Sequence, residues 1–200
     1  MNIQKSYIPI FRRRREGKTD YKKRRLLLYG KKPFITFHKS NYTIYCQIHK
    51  PELKGDVVIA SANSKELTKY GWKGSRKNIP SAYLTGLLVG LRALEKGVKS
   101  AVLYLGPRRF VKGSRVTALV KGIIDAGVDV PVDPELLPKE EYLSGKHISE
   151  YANMLLSSSP EEYKRRFSFL LSRRFKPEEY AKHTALVKSK LFKELKVKAK

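Results

Sequence analysis

The residues best suited to chemistry lie near the start of the chain. From Ser6 to Arg25 it reads SYIPIFRRRREGKTDYKKRR, basic runs interleaved with Ile8, Ile10, Phe11, Tyr7 and Tyr21. Guanidinium groups pair bidentately with phosphate, and exposed rings stack on unpaired bases, so this mixture points to nucleic acid. A solvated tail and a nuclear localisation signal remain as other readings of so basic a run. A second basic stretch, GPRRFVKG at residues 106–113, offers Arg108, Arg109 and Lys112 on charge and loop position. Asp125, Asp129 and Asp133 are evenly spaced and suggest the carboxylates with which a nuclease holds two Mg²⁺ ions. Gly127 and Pro131 interrupt any continuous helical face through them. Cys46 has no CxxC partner, and His38, His49, His147 and His183 lack zinc-ligand spacing. No P-loop, G-x-G-x-x-G or G-x-S-x-G is present, so the residues mark no cofactor, and no metal site is expected.

The charge distribution agrees. The 200 residues hold 43 Lys+Arg against 18 Asp+Glu, a net charge of +25. Residues 1–40 carry +11 of it and residues 160–200 carry +8, leaving +6 for the body between them. Such a charge predicts a polyanionic partner and says little about fold. At 41% hydrophobic the chain can bury a sizeable core and is not a disordered polymer. The longest apolar stretch, residues 82–91, is too short for a membrane span, and the first residues show no signal-peptide pattern. A single cysteine excludes an internal disulfide framework and fits a reducing cytosol.

These groups need elements to hold them. Residues 33–38 (PFITFH) and 42–48 (YTIYCQI) read as strands, with Lys39-Ser40-Asn41 as a tight hairpin between them. Residues 56–60 (DVVIA) are a third strand, completing an antiparallel meander. Ser64 is placed to cap a short helix ending before Gly71. Trp72, in YGWKG, is either core or a base-stacking platform. Residues 78–96 form the clearest helix, with Pro80 in its first turn and a stripe of Leu84, Leu87, Leu88, Leu91 and Leu94. Ala82, Gly86, Gly90 and Ala93 make a small-residue face beside it, expected to pack closely on the sheet, so Gly90→Leu should damage the fold. Residues 101–105 read as a buried parallel strand, 114–126 as a helix and 128–132 as a last short strand.

The fold class expected is α/β: a mixed sheet with an antiparallel three-strand meander followed by α-β-α-β, plus a basic extended N-terminal segment and a helical C-terminal tail. The division is 1–32, 33–138 and 139–200. In the tail a helix around residues 150–156 precedes two similar starts, PEEYK at 160 and PEEYA at 177, each with Pro in the first turn and acids at the positive helix end. Tyr163, Phe167, Leu170 and Leu171 make one apolar face, Tyr180, Thr184, Val187 and Leu191 another, with Arg165, Arg166, Arg173, Arg174 and Lys176 opposite.

Several strings together resemble a known family. RRRREGKTDY, KSNYTIYCQI, YGWKG, NIPSAYLTGLLVGLRAL and KGIIDAGVDVP are similar to the archaeal and eukaryotic branch of large-subunit ribosomal protein eighteen, whose eukaryotic member is numbered five. The resemblance runs from about Tyr7 to Asp133 and more loosely through the tail; the chain's length favours the archaeal branch. It implies a structural protein of the cytoplasmic large ribosomal subunit, without enzyme activity. It further implies that the protein binds 5S rRNA in the central protuberance, docked on large-subunit rRNA beside large-subunit protein five in the bacterial and archaeal numbering. No membrane and no small-molecule substrate are implied. The matched positions carry over as RNA contacts: Arg12, Arg13, Arg14, Arg15, Lys18, Tyr21, Lys22, Lys23, Arg24 and Arg25 in the head, then Lys39, Ser40 and Asn41 at the hairpin, with Tyr42 beside them. Tyr45 and Gln47 face the RNA with Tyr42 or lie on the opposite side. The rivals are a metal-dependent nuclease on a similar sheet, a general RNA chaperone and a membrane-surface binder. The head is expected to be mobile in the free protein and ordered on RNA.

Overall fold

The computed structural model describes residues 9–198, so Tyr7 and Ile8 of the head lie outside the described residues. The chain runs α1 (Arg12–Arg15), α2 (Tyr21–Gly30), β1 (Phe34–Lys39), β2 (Ile44–Lys50), β3 (Val57–Asn63), α3 (Ile79–Glu95), β4 (Val102–Leu103), α4 (Arg115–Ala126), α5 (Glu140–Ser144), α6 (Lys146–Ser158), α7 (Pro160–Leu171) and α8 (Tyr180–Lys198). The sheet order is β3-β2-β1-β4; the meander pairs are antiparallel, and β4 joins β1 in parallel through Phe34–Val102 and Ile35–Leu103. The expected mixed α/β architecture is present. No described helix is long and apolar enough to cross a membrane.

Period-two alternation divides the sheet into two faces. Ile35, Ile44, Cys46, Ile48, Ala60 and Ala62 are buried toward α3. Tyr45 and Gln47 point the other way, opposite His38 and Thr36 across the ladder. Asn78 caps α3 by accepting the Ser81 N–H at 3.1 Å, and Pro80 occupies the first turn. The leucine stripe fills the core as expected, with Leu84, Leu87 and Leu88 fully buried.

The small-residue face of α3 meets α4, not the sheet. A Cβ on Gly86 would run into the Leu119 carbonyl oxygen, and one on Gly122 of α4 into the Tyr83 carbonyl oxygen. A Cβ on Gly90 would lie 2.6 Å from the Ala126 methyl group. The two backbones approach so closely because glycines face each other across the crossing, a helix–helix analogue of the close packing expected on strands.

Other local readings change for identifiable reasons. The head is locally helical: Asp20 accepts the Lys22 and Lys23 N–H groups, both at 3.1 Å, and so caps α2. Ser64 does not cap a helix; its hydroxyl accepts the Ile44 N–H at 2.9 Å, and a 3₁₀ turn (Glu66–Tyr70) starts beyond it. The expected strand at 101–105 contracts to β4, which is only half-buried. Residues 128–132 contribute one parallel bridge, Ser100 to Asp129, and Pro131 has no N–H with which to extend it. Cys46 is fully buried, and burial pushes its thiol well above the usual range.

Trp72 is core, which removes it as a base-stacking platform. It is 2% exposed, its ring meets the edge of Tyr180 at 5.5 Å, and its indole N–H donates to the Ser75 carbonyl at 3.1 Å. The tail shares that core: Leu170, Phe175, Tyr180, Val187 and Leu191 belong to the same apolar cluster as the α3 leucines. The apolar faces expected at 160 and 177 are both present, the second after a 3₁₀ turn (Pro177–Glu179).

His183 stacks on Trp72 at 5.1 Å, and its Nε2 accepts the Lys73 N–H at 3.1 Å. Burial, reinforced by Lys73 and Lys190, holds its pKa below the ordinary imidazole value. The unfolded chain therefore takes up this proton first as pH falls, starting near about 6.5. Stability is full above that pH and is lost as pH drops through the lowered folded value. Melting temperature is expected to decline between about pH 7.5 and 5.5, within the window where imidazoles titrate. His183→Gln should flatten the decline, leaving the share contributed by His49, whose pKa burial also lowers. An equally steep decline in the variant removes His183 as its source.

Candidate nucleic-acid interface

The face of the sheet turned away from α3 is polar. Thr36, Tyr45, Gln47 and His49 are half-buried on it and His38 is exposed. The Thr36 hydroxyl and His49 Nε2 lie 2.9 Å apart. Among the described residues the head lies against this face, touching Phe34 of β1 and Asp56 just before β3. Arg24 holds it there, with its guanidinium over the Phe34 ring at 5.5 Å and in an ion pair with Asp56. An arginine expected to contact RNA is thus the clamp that seats the head on the sheet.

Between head and sheet runs a cleft lined by Arg13, Lys18, Tyr21, Arg24, His38 and Arg108, with Thr36, Tyr104 and one acid, Asp56, also in its wall. Arg108 enters from the 106–113 loop and donates to the Phe37 carbonyl at 3.1 Å. Two segments that sequence places almost a hundred residues apart therefore converge on one basic concavity. Inside the head, Arg13 donates to the Thr19 hydroxyl at 2.8 Å, and Arg12 and Lys18 both bind Glu16, at 2.8 and 2.7 Å. Arg12, then Lys18, hold the Glu16 carboxyl below the usual carboxylate range. Tyr21 packs against Phe11, ring centroids 5.2 Å apart.

The remaining expected contacts are placed as follows. Arg14, Arg15, Lys22 and Arg25 are exposed on the head outside the cleft; Arg25 lies 5.8 Å from the Tyr29 ring. Lys23 pairs with Asp20 at 3.7 Å and, with Arg108 and Arg109, borders a second groove beside β4. Lys112 is exposed on its loop and lines neither groove. At the hairpin tip Lys39, Asn41 and Tyr42 are exposed, Tyr42 at 83%. Ser40 organises the turn: its hydroxyl oxygen accepts the Tyr42 and Thr43 N–H groups at 3.2 and 2.9 Å. Sequence reasoning missed Thr36, His38 and Tyr104 as cleft residues. Alternation in β1 carried the signal for the first two, because they share one face opposite Ile35 and Phe37.

The three aspartates do not converge. Asp125 accepts the Tyr83 hydroxyl at 2.8 Å and pairs with Lys121 at 2.9 Å; Asp129 makes the backbone bridge to Ser100; Asp133 caps a 3₁₀ turn by accepting the Glu135 N–H at 3.0 Å. Among the described residues no group of three or more His, Cys, Asp or Glu side chains is placed to hold a metal ion.

Comparison with known proteins supplies a relationship. Residues 5–102 match the family model described as ribosomal large subunit proteins 60S L5 and 50S L18. A protein named large ribosomal subunit protein uL18 from Caldivirga maquilingensis is 50% identical over 182 residues, covering 90% of this chain and 88% of that one. Proteins of the same name from Thermofilum pendens and Ignicoccus hospitalis are 48% and 46% identical, over 92% and 93% of this chain and 93% and 91% of theirs.

Proposed function

Because the chain belongs to the family of ribosomal large subunit proteins 60S L5 and 50S L18, we propose that it binds 5S rRNA through the head cleft and the hairpin tip. In this reading it anchors that RNA to large-subunit rRNA in the central protuberance, beside large-subunit protein five. It is a structural ribosomal protein, not an enzyme, as its relatives' names agree.

One observation supports the RNA reading above the others: cations from the head and from the 106–113 loop line one cleft between the head and the polar sheet face. Phosphates drawn into the cleft release counterions, which supplies sequence-independent affinity. Exposed Tyr42, at the tip, offers a ring to an unpaired base. Folded RNA is then recognised by shape, with the rigid sheet holding both contact regions at a fixed separation.

The experiment is titration of 5S rRNA with the full chain at several salt concentrations, against an unrelated RNA of equal length. The wild type is expected to prefer 5S rRNA as salt rises. Replacing Arg12–Arg15 with Ala should lower the log–log salt slope by about 0.7–0.9 for each phosphate no longer neutralised. The fold should survive, since none of the four side chains is buried. An unchanged slope assigns the run to solvent. Equal displacement by unrelated RNA overturns the 5S reading in favour of a general RNA chaperone.

A further inference from the structure

Another basic concavity lies in the helical layer, apart from the head cleft and the groove beside β4, among residues that carry none of the expected RNA contacts. It forms where the loop after Trp72 meets the connection between α7 and α8. Lys73, Arg174, Lys176 and Lys182 line it, opposed by one acid, Glu179. All four cations are exposed, and none forms an ion pair with any described residue.

The floor of the patch is rigid. His183 is held between Trp72, on which it stacks, and Phe175, whose ring meets it at a tilt 4.7 Å away, and the Lys73 N–H is bonded to its ring. Arg174 sits at the end of α7 with φ +52°, in the left-handed conformation that glycine usually supplies at this position. Its N–H donates to Leu171 and that of Phe175 to Leu170, so the turn is fully bonded despite the arginine. The connection thereby presents Arg174 and Lys176 from a defined backbone, not from a loose tail.

We propose that this patch is a second RNA-backbone site, taking the phosphates of a double-helical RNA segment distinct from the one in the head cleft. The inference rests on the reading that the cleft holds 5S rRNA. The two concavities share no lining residue, and α8 packs on α3 and the 66–70 turn, so occupancy of one leaves the other's cations in place. Leu186 is the one exposed apolar side chain in the patch. Protein interfaces centre on a cluster of desolvated anchors and membrane-surface helices on a broad apolar face; a lone exposed leucine supplies neither. Phosphate neutralisation needs only cations held on a concave surface. With no exposed ring in the patch, recognition there reads backbone geometry and not bases.

The test compares the full-length wild type with the variant Lys73→Gln, Arg174→Gln, Lys176→Gln, Lys182→Gln. Binding to a perfect RNA duplex of about 16 base pairs, the length a backbone-reading module spans, is followed against salt. The variant is expected to reduce the log–log slope by about 3, four phosphates at about 0.7–0.9 each. Its affinity for 5S rRNA at raised salt should stay within twofold of wild type, and its melting temperature should be unchanged. An unaltered duplex slope overturns the proposal. So does a loss of 5S affinity as large as that of the Arg12–Arg15 variant, which would merge the patch with the first site. Displacement of the duplex by polyglutamate at equal charge concentration would make this an acidic-protein surface, and likewise overturns it. Failure of the underlying reading is seen separately, as absence of 5S preference in the wild type.

Discussion

Gly86→Ala is expected to lower the melting temperature by roughly 6–12 °C, the shift that about 3 kcal/mol produces in a chain of this size. Ordinary overpacking of a core costs about 1–3 kcal/mol because side chains yield. Here the obstacle is the Leu119 carbonyl of α4, backbone that cannot rotate away. The helix-propensity gain of about 1 kcal/mol offsets only part of this. Gly122→Ala, which meets the Tyr83 carbonyl from the other side, should behave alike. Gly90→Ala provides the contrast, since its nearest obstacle is the Ala126 methyl at 2.6 Å, with Ile123 backbone farther off at 3.2 and 3.3 Å. Its cost should be largely relieved by pairing it with Ala126→Gly, whereas no side-chain truncation rescues Gly86→Ala. Thermal melts of the four variants decide this, and an unshifted Gly86→Ala melt would show that α3 and α4 do not cross here.

Tyr180→Ala is the second large effect, expected at about 3–5 kcal/mol for loss of a buried aromatic. The residue is 1% exposed and lies edge-on to both Trp72 and Phe175. Its hydroxyl accepts the Ser75 N–H at 3.2 Å and the Asn78 side-chain amide. Asn78 in turn caps α3, so the start of the central helix is steadied by a ring from the tail. Tyr180→Phe isolates the polar share: it strands two donors and should cost about 1–3 kcal/mol. The loss should appear as a single melting transition moving down as a whole. If the tail melts first and the remaining transition keeps its wild-type midpoint, α8 does not support the body in the way the packing indicates.

The two predictions also mark where sequence was legible and where it was not. The leucine stripe of α3 was readable because a 3.6-residue period states both the element and its buried side. The glycine side was readable as small, but a period cannot say which element approaches it, and the partner was α4 instead of the sheet. Trp72 was ambiguous because its neighbours in sequence are Gly and Lys, while the residues that bury it, Tyr180 and His183, lie more than a hundred positions away. The head's helix had a usable signal in Asp20 before Tyr21, masked by the charge around it. For the candidate site, composition identified the cations but not their roles: Arg24 is tied to Asp56 and Phe34, Ser40 to its own turn, and only the fold brings Arg108 beside Arg13 and Lys18.

Cys46 gives this architecture an internal clock. It sits at mid-strand in β2 with no accessible surface, beneath the same layer that α3 and α4 seal. Its thiol cannot meet a reagent in the closed molecule, and the raised pKa keeps the little reactivity it has suppressed. Any alkylation therefore requires an opening of the sheet–helix core, and where reclosing outruns alkylation its rate scales with the open fraction, with no competing cysteine to confuse the record. Labelling rate against denaturant thus reads the free energy of opening at the centre of the molecule, in the free protein and under bound RNA alike.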